Sequence, residues 1–324
     1  MSCCLAGISA ATASAAKLQG AGSTLIAPLE AEWGAAWGNQ TGNSVTYSPV
    51  GSGSGYKDIA AGLVDFGASD APLSVYSSPA CHNCVQIPWG LTATGVSFHV
   101  NGLRRLHLTG PTLAKIYLGQ ITNWNDPALE RLNGHKLPNL PISVFYRSDS
   151  SGDTYAFTRY LSDVSGPFAK QVGSSTTVRF PKGTGAKGNT DMAGAVQGTN
   201  GSIAYVAVSY LINASLPAAA IQNRGGRYTV PNLSAIEAAA RAFRGVPASN
   251  QVTIVNPSKH AKSAYPISTY TYAIVPTNAS QGGTLRSFLY YCLGGGQKLG
   301  PRLDFAPLPK AVLTKARRTV GSIQ

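Results

Sequence analysis

The chain contains the segment Ser44-Val-Thr-Tyr-Ser-Pro-Val-Gly-Ser-Gly-Ser-Gly55, which is followed directly by residues 56–64. Its first four residues have the pattern of a short strand. After the glycine-rich loop, apolar residues recur at helical spacing, at Tyr56, Ile59, Ala60, Leu63 and Val64. A strand joined by a short loop to a helix is the basic unit of an α/β fold.

The same alternation continues along the chain, with no internal repeat and no block of like charges. Further strands are predicted at residues 96–100, 142–146, 202–208 and 268–275, and further helices at residues 111–118, 154–161, 234–243 and 283–293. The sequence therefore predicts an α/β protein.

Composition restricts the class of protein further. The chain has 324 residues, 26 Lys and Arg against 13 Asp and Glu, and a formal net charge of +13. Only 12% of its residues are charged, about half the ~25% of ordinary soluble domains, so Ser, Thr, Asn, Gln and Gly must solvate much of the surface. A hydrophobic content of 44% excludes a disordered chain. Because no apolar run reaches the ~18 residues of a membrane span, a soluble globular protein is expected.

The first seventeen residues are apolar and rich in small side chains. Ala13-Ser14-Ala15 has the A-x-A pattern of a signal-peptide cleavage site. Residues 1–15 are therefore interpreted as the remnant of a signal peptide, although the usual basic leader is missing. A lipid anchor at Cys3 stays open but lacks the Leu expected upstream, and an ordinary frayed terminus is the other alternative.

Five cysteines are present: Cys3, Cys4, Cys81, Cys84 and Cys292. Cys81-His-Asn-Cys84 lies in a predicted loop. A zinc site needs a second pair of ligands, and a thioredoxin-like motif needs a strand-to-helix turn, so a loop disulfide is preferred. Cys292 is interpreted as a small buried apolar residue.

Three junctions before helices carry small and hydroxyl-bearing residues. They are Gly20-Ala-Gly-Ser-Thr24, Gly51-Ser-Gly-Ser-Gly55 and Ser150-Ser-Gly-Asp153. Each puts free backbone N–H groups at the positive end of a helix dipole. One such junction is an ordinary N-cap, whereas three can converge on an anion if the fold brings them together.

Two charged residues lie close to these junctions. Arg147 follows a predicted strand and can hold an oxyanion by paired hydrogen bonds, with Asp149 placed to orient it. Asp70 can accept a hydrogen bond from an anion that keeps a proton, as phosphate does and sulfate does not. A surface ion pair and a turn aspartate are the alternatives from sequence alone.

Catalytic patterns are missing from the sequence. The five histidines, His82, His99, His107, His135 and His260, lie outside the three junctions. No G-x-S-x-G elbow has a His partner, no Asp/His cluster suits a pair of metal ions, and no phosphate-binding P-loop is present. The basic residues are spread along the chain, which does not favour nucleic-acid binding. The sequence thus predicts a protein without enzyme activity, metal or cofactor.

Several segments resemble those of PstS-like phosphate-binding proteins, the extracytoplasmic receptors of phosphate ABC importers. The main ones are Gly20-Ala-Gly-Ser-Thr-Leu-Ile-Ala-Pro28, Val50-Gly-Ser-Gly-Ser-Gly55 and Asp65-Phe-Gly-Ala-Ser-Asp-Ala-Pro-Leu73. The others are Ile116 to Gly119, Ile121 to Asp126, Arg147 to Gly152, Gly185 to Asn189, Gly201 to Val206, Tyr265 to Ser268 and Phe305 to Pro309. The resemblance runs from about Leu18 to the end of the chain.

This resemblance implies a two-lobe, type II periplasmic-binding-protein fold. Each lobe is expected to be a mixed sheet flanked by helices, and two strands are expected to cross between the lobes as hinges, near residues 94–97 and 266–269. Lobe one then comprises residues 16–95 and 267–324, and lobe two residues 96–266. Closure of such lobes around a ligand is a hinge motion.

The resemblance also implies the residues that bind phosphate: Thr24, Leu25 through its backbone, Ser52, Asp70, Arg147, Ser151, Gly152 and Asp153, with Asp149 bracing Arg147. Leu25 stands where relatives usually have Phe, and Asp153 where many have Thr. The Asp153 carboxylate has two predicted orientations: towards the cleft, as a second acceptor for protonated phosphate, or outwards, as a cap of the helix at Thr154.

The expected function is the binding of inorganic phosphate between the lobes and its delivery to the membrane permease of an ABC importer. A monomer acting outside the cytoplasm is expected. The alternatives are a receptor for another tetrahedral oxyanion, which Asp70 opposes, and a phosphatase-like secreted relative.

Overall fold

The computed structural model describes residues 15–76 and 81–324. Almost all of the predicted signal-peptide remnant, together with Cys3 and Cys4, lies outside these ranges. Within them, no helix combines the length and the apolar character that crossing a membrane demands.

Eleven strands and eleven α-helices form the described part of the chain. The strands are β1 Lys17–Gly22, β2 Ser44–Ser48, β3 Phe66–Ser69, β4 Cys84–His99, β5 His107–Leu108, β6 Ser143–Arg147, β7 Thr184–Ala186, β8 Ser202–Ala207, β9 Ala220–Gln222, β10 Tyr228–Thr229 and β11 Ser268–Pro276. The helices are α1 Ala27–Thr41, α2 Ser52–Ala60, α3 Gly110–Tyr117, α4 Pro127–Asn133, α5 Gly152–Val164, α6 Gly166–Gln171, α7 Gly188–Gly198, α8 Val208–Asn213, α9 Leu233–Arg241, α10 Gly282–Cys292 and α11 Lys310–Val320. The α/β class predicted from the sequence is confirmed.

One prediction about the glycine-rich segment is wrong. The helix expected to begin at Tyr56 begins at Ser52 and ends at Ala60, so the loop itself forms the first helical turn. Gly51 precedes it at φ +94°, a conformation that side chains with a Cβ rarely adopt. The free N–H groups of the first helical turn therefore belong to the glycine-rich segment and lie at the edge of the sheet, next to the candidate site described below.

Strand β4 joins two halves of an eight-stranded sheet with the order β2-β1-β3-β11-β4-β8-β6-β7. Its residues 84–93 pair antiparallel with β11, and its residues 94–99 pair antiparallel with β8. We call the half with β1, β2, β3 and β11 lobe one, and the half with β6, β7 and β8 lobe two. A small sheet, β10-β9-β5, completes lobe two.

An aromatic cluster fills the core of each lobe. In lobe one, Trp33 of α1 packs against Trp89 of β4 with ring centroids 5.3 Å apart, and its indole N–H donates to the carbonyl of Gly296 at 2.9 Å. In lobe two, Phe157 of α5 stacks on Tyr205 of β8 at 4.4 Å. These contacts fix the helices whose first turns form the site.

Two cysteines lie at the start of β4. Cys81 and Cys84 are joined as a disulfide, with Cα atoms 5.5 Å apart. Cys292 is buried and free. The disulfide ties the first residue of the long strand to the loop before it.

Glu30 of α1 is buried, only 3% exposed, and its Oε1 has no hydrogen-bond partner in the described structure. Burial raises its pKa to about 8. The folded protein thus holds a proton that the unfolded chain releases near pH 4.5. This contribution to stability is complete below pH 4.5 and is lost as the pH rises through 8.

We expect Glu30→Gln to flatten the fall of the unfolding free energy between pH 5 and 8, which amounts to roughly 1 kcal/mol per pH unit from this group. Urea unfolding across that range measures it. Glu32→Gln, at a partly exposed position two residues away, is the control. An unchanged pH slope in Glu30→Gln contradicts the prediction.

Candidate functional site

The three junctions singled out in the sequence meet where the two lobes face each other. Ser23 to Leu25 follow β1, Ser52 begins α2, and Asp70 follows β3, all on lobe one. Arg147 ends β6 and Gly152 begins α5 on lobe two. Hydrogen bonds join the site residues in two groups. Ser23, Leu25, Ser52, Asp70 and Gly152 form one, and Thr24, Arg147, Asp149, Ser151, Asp153 and Asn189 form the other. The peptide bond between Gly152 and Asp153 connects the groups, which together contain all nine predicted residues; Ser23 and Asn189 are the two members that the prediction did not include.

Asp70 is the centre of the lobe-one side and is 2% exposed. Its Oδ2 accepts from the Ser23 hydroxyl at 2.5 Å and from the Ser52 hydroxyl at 3.4 Å. Its Oδ1 is buried without a partner in the described structure. Burial, with the nearby Asp153 carboxylate adding to it, raises the pKa of Asp70 to about 7. The site therefore offers one unused acceptor atom.

The lobes touch through backbone as well as side chains. The Gly152 N–H donates to Ser52 Oγ at 3.1 Å, and the Gly53 N–H donates to the carbonyl of Ser150 at 3.0 Å. A Cβ added to Gly152 would lie 2.5 Å from the Cβ of Asp70. Only glycine allows this approach, so the glycine-rich loops determine how closely the lobes meet.

Arg147 provides the positive charge on the lobe-two side, with its side chain only 1% exposed. Its Nε and Nη2 donate to the two carboxylate oxygens of Asp149 at 2.7 and 2.5 Å, and its Nη1 donates to Asp153 Oδ2 at 3.1 Å. The alternative of a surface ion pair is wrong because the pair is buried. These bonds use three of the five guanidinium N–H groups, which leaves two for another acceptor.

Asp149 is held in its ionised form. Burial opposes ionisation, but the hydrogen bonds and charge of Arg147 outweigh it and hold the pKa of Asp149 below its usual range. The carboxylate also accepts the Gly188 N–H at 3.0 Å. Asp149 thus fixes the guanidinium plane by a bidentate pair.

The Asp153 carboxylate points into the site, and its predicted alternative role as a helix cap is wrong. Its Oδ1 accepts from the Thr94 hydroxyl at 2.7 Å, and its Oδ2 accepts from Asn189 Nδ2 at 2.8 Å as well as from Arg147. Ser151 caps α5 instead, since its Oγ accepts the N–H groups of Asp153 and Thr154 at 3.1 and 3.4 Å. Burial raises the pKa of Asp153, and the Arg147 charge only partly offsets this.

Sequence reasoning missed several residues of the network. Asn189 Nδ2 bridges the lobes, because it donates to Thr24 Oγ1 at 2.8 Å as well as to Asp153. Tyr210 donates to the Thr24 carbonyl at 2.9 Å, and Ser23 bonds both Asp70 and the Leu25 N–H. Ser23 and Asn189 lie inside the family-like segments, which was the available signal.

No group of three or more His, Cys, Asp or Glu side chains within residues 15–76 and 81–324 is arranged to hold a metal ion. Two of the three site aspartates, Asp149 and Asp153, pair with the Arg147 guanidinium instead. The arrangement therefore suits an anion held by N–H and O–H donors.

Comparison with known proteins gives the family. A model described as a PBP superfamily domain matches residues 8–294. The phosphate-binding protein PstS of Xylella fastidiosa (strain Temecula1) is 35% identical over 299 residues, covering 90% of this chain and 82% of that protein. PstS of Pasteurella multocida is 34% identical over 312 residues, covering 94% and 90%. The chain belongs to the PstS family.

Solved structures confirm the fold expected of a PstS protein. A periplasmic phosphate-binding protein bound with phosphate at pH 8.5 superposes with a TM-score of 0.72 at 22% identity, over 93% of each chain. A phosphate-binding protein from Stenotrophomonas maltophilia superposes with a TM-score of 0.69 at 24% identity, again over 93% of each chain. The two-lobe, type II fold predicted from the PstS resemblance is thereby confirmed.

Proposed function

We propose that this chain binds inorganic phosphate between its lobes and delivers it to the permease subunits of a phosphate ABC importer. The observation that carries the proposal is the buried Oδ1 of Asp70, which has no partner among the described residues, together with Arg147, whose guanidinium has two N–H groups to spare. Phosphate needs several donors and, for its remaining proton, one acceptor. The site offers both.

The proposed roles follow the chemistry of each group. Hydroxyls of Thr24, Ser52 and Ser151 donate to phosphate oxygens, as do the N–H groups of Leu25, Gly152 and Asp153 and the guanidinium of Arg147. The contact between Ser52 and the Gly152 N–H then opens towards the ligand. Asp70 accepts the phosphate proton, and Asp149 positions Arg147.

The lobes are proposed to divide at residues 95 and 267, so that residues 16–95 and 267–324 form one and residues 96–266 the other. The change of β4 from β11 to β8 between Ala93 and Thr94 supports the first boundary. The start of β11 at Ser268 supports the second. Both crossings then lie beside Thr94, which bonds Asp153 in the site.

A binding role without catalysis fits the chemistry of this site. A phosphatase needs a nucleophile activated by a base or a metal-bound water. His99 contacts the backbone carbonyl of Val196 and His107 stacks on Tyr228, both away from the site. The PstS relatives carry names of binding proteins, which supports the same conclusion.

An extracytoplasmic location follows from the proposed role and from the periplasmic relative described above. The signal-peptide remnant at residues 1–15 and the alternative lipid anchor at Cys3 both concern residues outside the described ranges, apart from Ala15. They remain predictions. We propose that the chain acts as a monomer.

Calorimetric titration of protein stripped of bound anion, with phosphate and with sulfate at pH 7, tests the function. We expect phosphate binding at micromolar strength or tighter and no sulfate heat, because Asp70 has no proton to accept from sulfate. Asp70→Asn should narrow the difference between the two ions. Equal binding of sulfate by the unaltered protein overturns the role of Asp70, and no heat from phosphate overturns the function.

A further inference from the structure

A second buried carboxylate faces the site beside Asp70. Asp153 is 1% exposed and its Oδ2 lies 3.1 Å from Nη1 of Arg147. The residue before it, Gly152, lies directly against Asp70. Both carboxylates therefore lie at the first turn of α5, where Asp153 pairs with Arg147.

The positive and negative charges at the first turn of α5 do not balance. Arg147 is the cation, and Asp70, Asp149 and Asp153 are the carboxylates. Within the described residues, the other titratable groups that interact with them include the phenols of Tyr47, Tyr76, Tyr205, Tyr210 and Tyr272, whose pKa values burial raises and which are neutral at physiological pH. Thr94 and Asn189 contribute neutral hydrogen bonds. With all three carboxylates ionised, the site already has a net negative charge. A doubly charged phosphate would add two further negative charges to this buried site, which is unfavourable.

Counting protons shows how the imbalance is removed. Doubly charged phosphate carries one hydroxyl, and singly charged phosphate carries two. Among residues 15–76 and 81–324, Asp70 Oδ1 has no hydrogen-bond partner and Asp153 Oδ1 accepts one bond, from Thr94, which leaves one of its lone pairs unused. Each carboxylate can thus accept from one hydroxyl of the singly charged ion.

We infer that Asp153 makes this site selective for singly charged dihydrogen phosphate, so that binding from a neutral or alkaline solution takes up a proton. This inference rests on the proposed function. A threonine at this position would present a hydroxyl that can donate to either form of phosphate. Asp153 removes that donor and supplies an acceptor.

The acid–base properties of the pair point the same way. The pKa of Asp70 is raised to about 7 and that of Asp153 is raised as well, in both cases chiefly by burial. A proton placed on either carboxylate or on the ion gives the same protonation state of the complex. The pH dependence of binding therefore measures the total number of protons taken up by the complex, whichever group holds them.

The test is calorimetric titration with inorganic phosphate from pH 6 to 9, comparing the unaltered protein with Asp153→Thr. Phosphate loses its second proton at a pKa of about 6–7. We expect Kd of the unaltered protein to rise about tenfold per pH unit above that value. The Kd of Asp153→Thr for phosphate should change less than about threefold from pH 7 to 9. At pH 8.5 this variant should bind phosphate at least tenfold more tightly than the unaltered protein. Buffers of different ionisation enthalpy should report proton uptake only with Asp153 present.

Two further variants make the result decisive. Asp153→Asn removes the charge with almost no change of shape and should also flatten the pH profile, which covers the case in which Asp153→Thr fails to fold. Asp163→Asn, on the same helix but 30% exposed and paired with Arg159, should keep the unaltered profile. A flat profile in the unaltered protein, or an equally steep one in both Asp153 variants, overturns this inference and leaves phosphate binding intact. Failure to bind phosphate at every pH overturns the proposed function itself.

Discussion

Arg147→Lys is expected to weaken phosphate binding by 100-fold or more. The guanidinium donates to both oxygens of Asp149 and to Asp153 while keeping two N–H groups for a ligand. A lysine ammonium has three donors and no planar fork, so it cannot hold both carboxylates and also grip an oxyanion in two places. Calorimetric titration at pH 7 measures the loss.

The variant keeps the positive charge for a reason. Removing the cation altogether leaves two buried carboxylates unpaired, which commonly costs about 3–5 kcal/mol and confuses unfolding with loss of binding. Arg159→Lys, on α5 and 48% exposed, is the matched control and should bind phosphate normally. A thermal melt of each variant checks the fold. Phosphate affinity within tenfold of the unaltered protein in a folded Arg147→Lys contradicts the proposed role of Arg147.

Gly152→Ala is expected to abolish tight phosphate binding while leaving each lobe folded. The new methyl group would lie 2.5 Å from Asp70 Cβ and 2.8 Å from Asp70 Cα, inside any normal contact distance and against atoms that cannot swing away. The lobes would therefore stop short of closing, and Ser52 would lose its bond to the backbone of α5. We expect Kd to rise at least 100-fold, and small-angle X-ray scattering to show no compaction when phosphate is added.

Gly194→Ala provides the control for this substitution. Gly194 lies within α7, where an added Cβ meets no atom within 4 Å. Alanine there should leave phosphate binding unchanged and stabilise the helix by roughly 0.5–1 kcal/mol. Normal affinity and normal compaction in Gly152→Ala would show that the close contact is not needed for binding.

Much of the fold follows from local patterns in the sequence. The helices and strands with clear periodicity were predicted close to their observed bounds, as in α3, β6 and β8. Strand β4 has 16 residues, about three times the five predicted at residues 96–100. The part that was not predicted contains Pro88 and Gly90, residues that weaken a strand. In the structure Pro88 lies at a register shift against β11, where a missing N–H is tolerated.

The start of α2 was mispredicted for a related reason. Glycine and serine have low helix propensity, so Ser52 to Gly55 looked like a loop. Tertiary contacts reverse that preference. The Gly53 N–H bonds the Ser150 carbonyl across the lobes, and within lobe one a Cβ at Gly55 would meet the backbone of Ala21 and Gly22. Such tertiary effects cannot be inferred from local composition.

The site was predicted by family resemblance more than by physical pattern. Arg147 and Asp149 by themselves look like a surface pair, and only their burial distinguishes them. The orientation of Asp153 depends on Thr94 and Asn189, which are 59 and 36 residues away in sequence. A long-range hydrogen bond of this kind leaves no periodic trace in the chain.

The burial of the site fixes the timing of ligand exchange. Asp70, Arg147 and Asp153 are each no more than 5% exposed when the lobes meet, so an ion held among them can escape only after the two lobes separate. The residence time of the ion is then set by the rate at which the lobes open, and free anions in solution cannot speed its release by displacing it. Isotopically labelled phosphate should leave at one rate whatever the concentration of unlabelled phosphate outside. A transporter that unloads this protein quickly must therefore act on the lobes rather than compete for the ion.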